Sequence, residues 1–299
     1  MKTASKSSKK NEVIRSTYPM VNSPEEVNVN GKYSTLNFGM FKKLQYNRGE
    51  DTGIDANRLN RFKKLYYNNE YFNDELHLFV NEAMEVIDGH HKLALHIYLF
   101  ENGIKLPINF TVLTQAEYNE GTPIQKMGAI ARRNAVTSKW DSKAHFNVAL
   151  KLQLPLAIAI QNLKAEGLCI DGRMMTAPRI FALLTSDTKR LNSELVSVEE
   201  YDRPDLIDVM STEKFKKEYE FVCNVINELI KWNKDYEETA KIIPFNMIRA
   251  IMPMVWENML NMDKFVGEIQ TKRFANVSNT VKGCTVYAKK IQKKMLGID

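Results

Sequence analysis

The stretch ELHLFVNEAMEVIDGHHKLAL, residues 75–95, decides how the first half of this chain folds. ELHLFV and MEVI are short apolar runs on either side of Asn81-Glu82, the pattern of two strands joined by a tight turn. Asp88-Gly89 then ends the second strand. His90, His91 and Lys92 open a helix that sets Leu93, Ile97 and Phe100 on one stripe. Asn102-Gly103 stops that helix, and PINFTVL (107–113) follows as a buried strand.

Upstream, YSTLNFGMFKKL (33–44) suits a short strand that runs into the loop QYNRGEDTG (45–53). DANRLNRFKKLYYNN (55–69) spaces Leu59, Phe62, Leu65 and Tyr66 as a helix does, with Asp55 as its N-cap. Residues 1–33 are rich in Ser, Asn and Lys, hold Pro19 and Pro24, and lack periodicity, which predicts a flexible basic arm. Residues 34–115 are then a small α/β domain.

Past Pro123 the strand signal disappears. Trp140–Leu154, Pro155–Ala165, Pro178–Leu184, Glu213–Trp232 and Phe245–Leu260 have helical patterns, with Pro155 and Pro178 at first-turn positions and Gly167 at a helix stop. DTKRLNSELVSVEEYDRPDLID (187–208) is polar and is expected to link two helical groups, dividing 116–299 into 116–190 and 205–299. The fold class expected is α+β, a small α/β domain followed by a larger all-helical region; 299 residues are enough for about two cores. The short helices of 141–185 fit either a helix-turn-helix or a small bundle.

Hydrophobic residues at 44% and charged residues at 26% are those of an ordinary soluble protein. No run of eighteen apolar residues occurs and no apolar stretch follows the basic N-terminus, so neither a membrane partner nor a secretory signal is expected. Cys169, Cys223 and Cys284 are odd in number and form no CxxC pair, which predicts free buried thiols in a reducing cytoplasm and no thiolate zinc site. Lys2, Lys6, Lys9 and Lys10, with no acid among the first ten residues, carry four of the six net positive charges and leave +2 for the rest. IARRNAVTSKW and AKKIQKKMLGID are further basic patches. They fit polyanion contacts or solvated helix faces alike.

The turn at Asp88 carries the chemistry. A helix that opens after a Gly turn presents N–H groups and the positive end of its dipole, which favour an anion, phosphate above all. His90, His91 and Lys92 in the first turn sit badly against that dipole unless an anion is present. Lys92 and His96, four residues apart, can reach the same phosphates. Asp88 fits either a helix cap or a carboxylate that holds magnesium through the phosphates. Adjacent histidines point about 100° apart on a helix and converge poorly on a zinc ion.

Asn47-Arg48, the following helix, residues 75–95 and LPINFTVL (106–113) together resemble the ParB/sulfiredoxin superfamily, its ParB-like nuclease domains of phage or mobile-element type. The likeness covers about residues 36–113, roughly a quarter of the chain; NAVTSKWDSKAHFNVAL (134–150) is similar to the segment that follows this domain in phage and mobile-element members. The resemblance implies a pocket for a nucleoside triphosphate, CTP or ATP, with Mg. Gly89, His90, His91 and Lys92 would hold its phosphates and Arg48 would reach in from the preceding loop. It also implies DNA as a partner, association as a homodimer, and the cytoplasm of a bacterial host cell. His90 stands where sulfiredoxins carry their cysteine, which removes sulfur-acid repair, and His90 and Lys92 depart from the Gly-Glu-Arg-Arg of partition proteins. Three functions follow as expectations. The first is a nucleotide-binding, DNA-associated protein of partition, nucleoid or regulatory type. The second is an enzyme of phosphotransfer, NTP hydrolysis or nuclease activity in the same pocket, with Asp88 and Glu50 as its acidic groups. The third is an interaction scaffold with a degenerate pocket.

Overall fold

A computed structural model describes residues 18–29, 31–43, 54–71, 73, 77–135, 139–172, 174–192, 195–235, 243–271 and 277–298. Two compact units divide the chain, Met1–Trp140 and Asp141–Asp299. A small mixed sheet with helices lies in the first, and among the described residues the second is all helical.

The first unit is built on strands β1 (Lys32–Thr35), β2 (Leu78–Asn81), β3 (Val86–Asp88) and β4 (Ile108–Leu113), in the order β1-β4-β2-β3. β1 and β4 are antiparallel, as are β2 and β3, while β2 and β4 run parallel. Alternation sorts the faces: Tyr33, Leu78, Val80, Ile108, Phe110 and Val112 enter one apolar core together with Met40, Met84 and Val86. Each such side chain stabilises the fold by about 1.5–3 kcal/mol. Between β2 and β3 the Asn81 side chain braces the loop, accepting from the Glu85 N–H at 2.8 Å and donating to the Glu85 carboxylate at 2.7 Å.

Both sheet edges are covered. Val21 N–H donates to Ser34 O and Ser34 N–H to Pro19 O, each at 2.9 Å, along β1; Lys42 pairs with Met84 and Val86 along β3. Val21 is buried in the core. Within the expected arm, Pro19–Val21 is therefore docked along β1, because one buried valine and two backbone bonds anchor a segment whose average composition is polar. Residues 1–17 lie outside the described residues.

Helix α1 (Ala56–Tyr67) starts at Asp55, whose carboxylate accepts from the N–H groups of Asn57 and Arg58, as the sequence predicts. It packs Leu59, Phe62, Leu65 and Tyr66 against Leu95 and Leu99 of α2 (His90–Glu101). The face of α2 differs from the expected stripe. Lys92, Leu95, His96 and Leu99 are buried, while Ile97 and Phe100 are 37% and 44% exposed. Apolar residues lie on almost every side of this helix, so periodicity does not choose its face; contact with α1 and the sheet does. Short α3 (Ala116–Asn119) and α4 (Pro123–Arg133) belong to the same unit, tied to it where Asn81 Nδ2 donates to Tyr118 O and Glu82 N–H to the Asn119 side chain. A Thr122/Gln125 capping box and Pro123 start α4.

The second unit packs α5 (Ser142–Lys151), α6 (Pro155–Ala165), α7 (Ala177–Thr185), α8 (Asp205–Ser211), α9 (Glu213–Asp235), α10 (Pro244–Trp256), α11 (Met262–Thr271) and α12 (Val281–Met295). α9 is central, touching α7, α8, α10 and α11. The expected linker 187–208 is part of this core: Val196, Val198 and Tyr201 are fully buried, and Val198 N–H donates to His145 Nδ1 at 3.2 Å. Its polar letters hide apolar residues spaced to anchor two 3-10 turns. α7 buries Ala177, Pro178 and Ile180 to Leu184, so most of its surface is taken up by packing within this unit.

Candidate ligand face at the β3–α2 turn

Gly89 has a left-handed φ of 98°, and a Cβ there would stand 3.2 Å from the Leu78 backbone, so a side chain is refused by conformation and by space. The Asp88 carboxylate accepts from Gly89 N–H at 2.7 Å. Leu93 N–H donates to Gly89 O, and no side chain caps the start of α2 from the Gly89 position.

Few of the expected phosphate contacts reach this helix start. Lys92 is 3% exposed, with Nζ 3.4 Å from Asn73 O. His96 is fully buried: Nδ1 donates to Leu106 O at 3.1 Å and Nε2 accepts from the Tyr71 hydroxyl at 2.8 Å. That pairing fixes the tautomer, and burial, helped by the charge of Lys92, pushes the His96 imidazole down to about 3. The i, i+4 pair shares a face as the sequence predicts, and that face is the inner one, with both side chains buried. Burial likewise pushes His90 down to about 4, against the pull of Asp88, so it is neutral at pH 7. His91 Nε2 accepts from Asp55 N–H at 2.9 Å and ties the turn to the start of α1. Arg48 and Glu50 lie outside the described residues.

Beside the turn, the sheet face opposite the apolar core is polar. Lys32, Thr111, Phe79 and Asp88 stand in one row across all four strands. Ser34 and Asn109 form a buried polar floor, with Ser34 Oγ donating to Asn109 Oδ1 at 2.9 Å. His77 Nδ1 lies 3.2 Å from Thr111 Oγ1, and its ring meets that of Tyr18 edge-on at 5.2 Å. Arg133, from the end of α4, lays its guanidinium over the Phe79 ring, 3.8 Å from the centroid. Burial and Glu117 raise the Tyr118 hydroxyl, and the nearby charge of Arg133 opposes the rise. The Arg133 Nε–H is buried with no hydrogen-bond partner among the described residues.

Sequence reasoning passed over this face. The signal was present in the alternation of His77, Phe79 and Asn81 with Leu78 and Val80, matched by Asn109 and Thr111 in β4. Arg133 is visible in the sequence as part of the basic patch IARRNAVTSKW, but its place over Phe79 is not, since α4 brings it from 54 positions beyond.

Chemically, the face offers, among the described residues, Arg133 stacked on Phe79, the exposed Lys32 over the Tyr18 ring, and the Asp88 carboxylate at the turn. Among the described residues no three His, Cys, Asp or Glu side chains converge as a metal site. A single Asp88 suits magnesium that takes its remaining ligands from phosphate oxygens and water. The whole is an α+β unit with a polar, cationic sheet face, followed by a helical unit. No protein-family model matches the chain, and no curated protein or solved structure does.

Proposed function

We propose that the first unit binds a phosphate-bearing ligand with a planar ring, a nucleotide or nucleic acid, on the polar sheet face beside the β3–α2 turn. The observation that carries this is Arg133: a guanidinium stacked on Phe79, its Nε–H without a partner among the described residues, one strand from Asp88 and flanked by Thr111. A guanidinium held flat by an aromatic ring binds phosphate oxygens through its edge and a nucleobase through its plane. Lys32, exposed at the far end of the row, adds a second cation. The Asp-Gly-His-His turn that resembles ParB-like domains adjoins this face, and a nucleoside triphosphate with magnesium on Asp88 is the specific ligand proposed. DNA is the proposed macromolecular partner, the chain acting as a nucleotide-binding, DNA-associated protein.

The test is a thermal-shift panel of nucleotides with and without magnesium, beside fluorescence anisotropy on labelled single-stranded and duplex oligonucleotides. Ligands that bind the folded state raise its melting temperature. Binding that Arg133→Ala abolishes and Lys92→Met preserves is the expected result. Binding that depends on Lys92 but not on Arg133 would return the site to the helix start, and binding of neither ligand class rejects the proposal.

A further inference from the structure

Within the second unit, α6, α8 and α9 enclose a groove of about 560 Å3, lined by Leu163, Leu168, Met210, Phe215, Tyr219 and Glu220. Two thiols sit behind its wall. The segment after α6 is strapped to α9 by one side chain, because Asn227 Nδ2 donates to Leu168 O at 2.9 Å and Asn227 Oδ1 accepts from Ile170 N–H at 2.7 Å. These two bonds bracket residue 169 and present Cys169 to α9. Tyr219, Cys223 and Asn227 follow one another at intervals of four along a single α9 face. The Cys169 thiol donates to Asp171 O at 3.4 Å, and the two thiols are near enough to perturb each other, Cys223 lowering Cys169 and Cys169 raising Cys223. Both cysteines are reduced and buried.

We propose that Cys169 and Cys223 are an oxidation site, closing to a reversible disulfide when peroxide enters the α6–α8–α9 groove and locking Leu168, one wall of that groove, to α9. Asn227 holds the segment of Cys169 against the helix that carries Cys223, one turn from that cysteine. Cys169 attacks. Its thiolate sulfur takes one peroxide oxygen, the O–O bond breaks, and hydroxide leaves to become water, giving the sulfenic acid. Cys223 then attacks that sulfur, the S–S bond forms, and the sulfenic oxygen departs with the Cys223 proton as a second water. Two thiols lose two electrons and one peroxide gains them.

The order of attack follows the surroundings. Cys169 is the more exposed, at 7% against 1%, and the neighbouring Cys223 holds its thiol below the usual range. Cys223, raised by Cys169 beside it and by burial, is held above that range and resolves the intermediate. Cys284 has neither partner thiol, and burial pushes it up to about 11.

Peroxide treatment of the full chain, alkylation of the remaining thiols and peptide mapping without reductant test this. One cross-linked pair joining residues 169 and 223, two hydrogens lighter and reopened by dithiothreitol, is expected, with Cys284 alkylated. The oxidised chain should melt about 5–10 °C above the reduced one, because the bond closes a long loop, and Cys223→Ser should lack this rise. Cross-links through Cys284 or between chains, or sulfinic acid on Cys169 without a cross-link, overturn the proposal. Mapping of the native chain decides even if the serine variant fails to fold.

Discussion

Arg133 and Phe79 form a stacked pair, guanidinium over ring at 3.8 Å, although one ends a helix and the other lies in mid-sheet. The pair stands directly beside Asp88, which faces Phe79 across the β2–β3 ladder. Truncating Arg133 to Ala removes charged hydrogen bonds worth about 1.5–3 kcal/mol and is expected to weaken nucleotide or oligonucleotide binding by about 10- to 100-fold. Phe79→Leu keeps the strand apolar at that position but removes the platform, and a smaller loss is expected. Anisotropy titrations at fixed salt measure both. Equal affinity in the native chain and Arg133→Ala contradicts the assignment.

His96 gives the first unit a stability that depends on pH. Its folded value, about 3, lies below the ordinary 6.5, so the unfolded chain binds the proton more tightly. The contribution is fully present above about 6.5 and is lost progressively as pH falls toward 3, at up to about 1.4 kcal/mol per pH unit. His90, held low by burial, adds in the same direction. Urea midpoints at pH 7, 6 and 5 should fall in the native chain and fall less steeply in His96→Gln. Parallel slopes would show that His96 is not the group responsible.

Gly89→Ala is expected to destabilise the first unit by about 1–3 kcal/mol, since alanine must adopt a φ of 98° and crowd the Leu78 backbone at 3.2 Å. Differential scanning calorimetry detects a shift of this size. An unmoved melting temperature means that the turn relaxes to another conformation.

Asp88→Asn separates a structural carboxylate from a magnesium-holding one. Asparagine keeps an oxygen for the Gly89 N–H, so the melting temperature should hold within about 0.5 kcal/mol of native stability. Magnesium dependence of nucleotide binding should disappear, because a neutral amide is a poor magnesium ligand. Magnesium dependence that persists in the variant moves the ion to another carboxylate.

Much of the first unit is legible in the sequence. Asp55 caps α1 where the helical spacing begins, and the runs around Asn81 pair as expected because alternation over four residues is enough to orient a strand. What escapes is decided at a distance. α2 carries Leu93, Leu95, Ile97, Leu99 and Phe100, so nothing local announces that Lys92 and His96 turn inward. Their hydrogen bonds go to Asn73, Tyr71 and Leu106, which only the folded chain brings near. The segment 187–208 misleads for the opposite reason: its charge is genuine, yet Val196, Val198 and Tyr201 outweigh it once buried. Of the candidate site, the turn could be read from Asp88-Gly89 and the basic patch from Arg132-Arg133, while the stacking of Arg133 on Phe79 could not.

The register of β1 has a kinetic consequence. β2, β3, α2 and β4 fit within residues 78–113, whereas β1 meets β4 only through pairs such as Ser34 and Asn109, 75 positions apart. Closing that long interval costs chain entropy before any contact rewards it. The 78–113 segment is therefore expected to form the folding nucleus, with β1 and the Pro19–Val21 strip docking last. In native-state hydrogen exchange the Ser34 amide should open by a lower-energy fluctuation than that of Val80, so the edge of the sheet breathes while its centre stays closed.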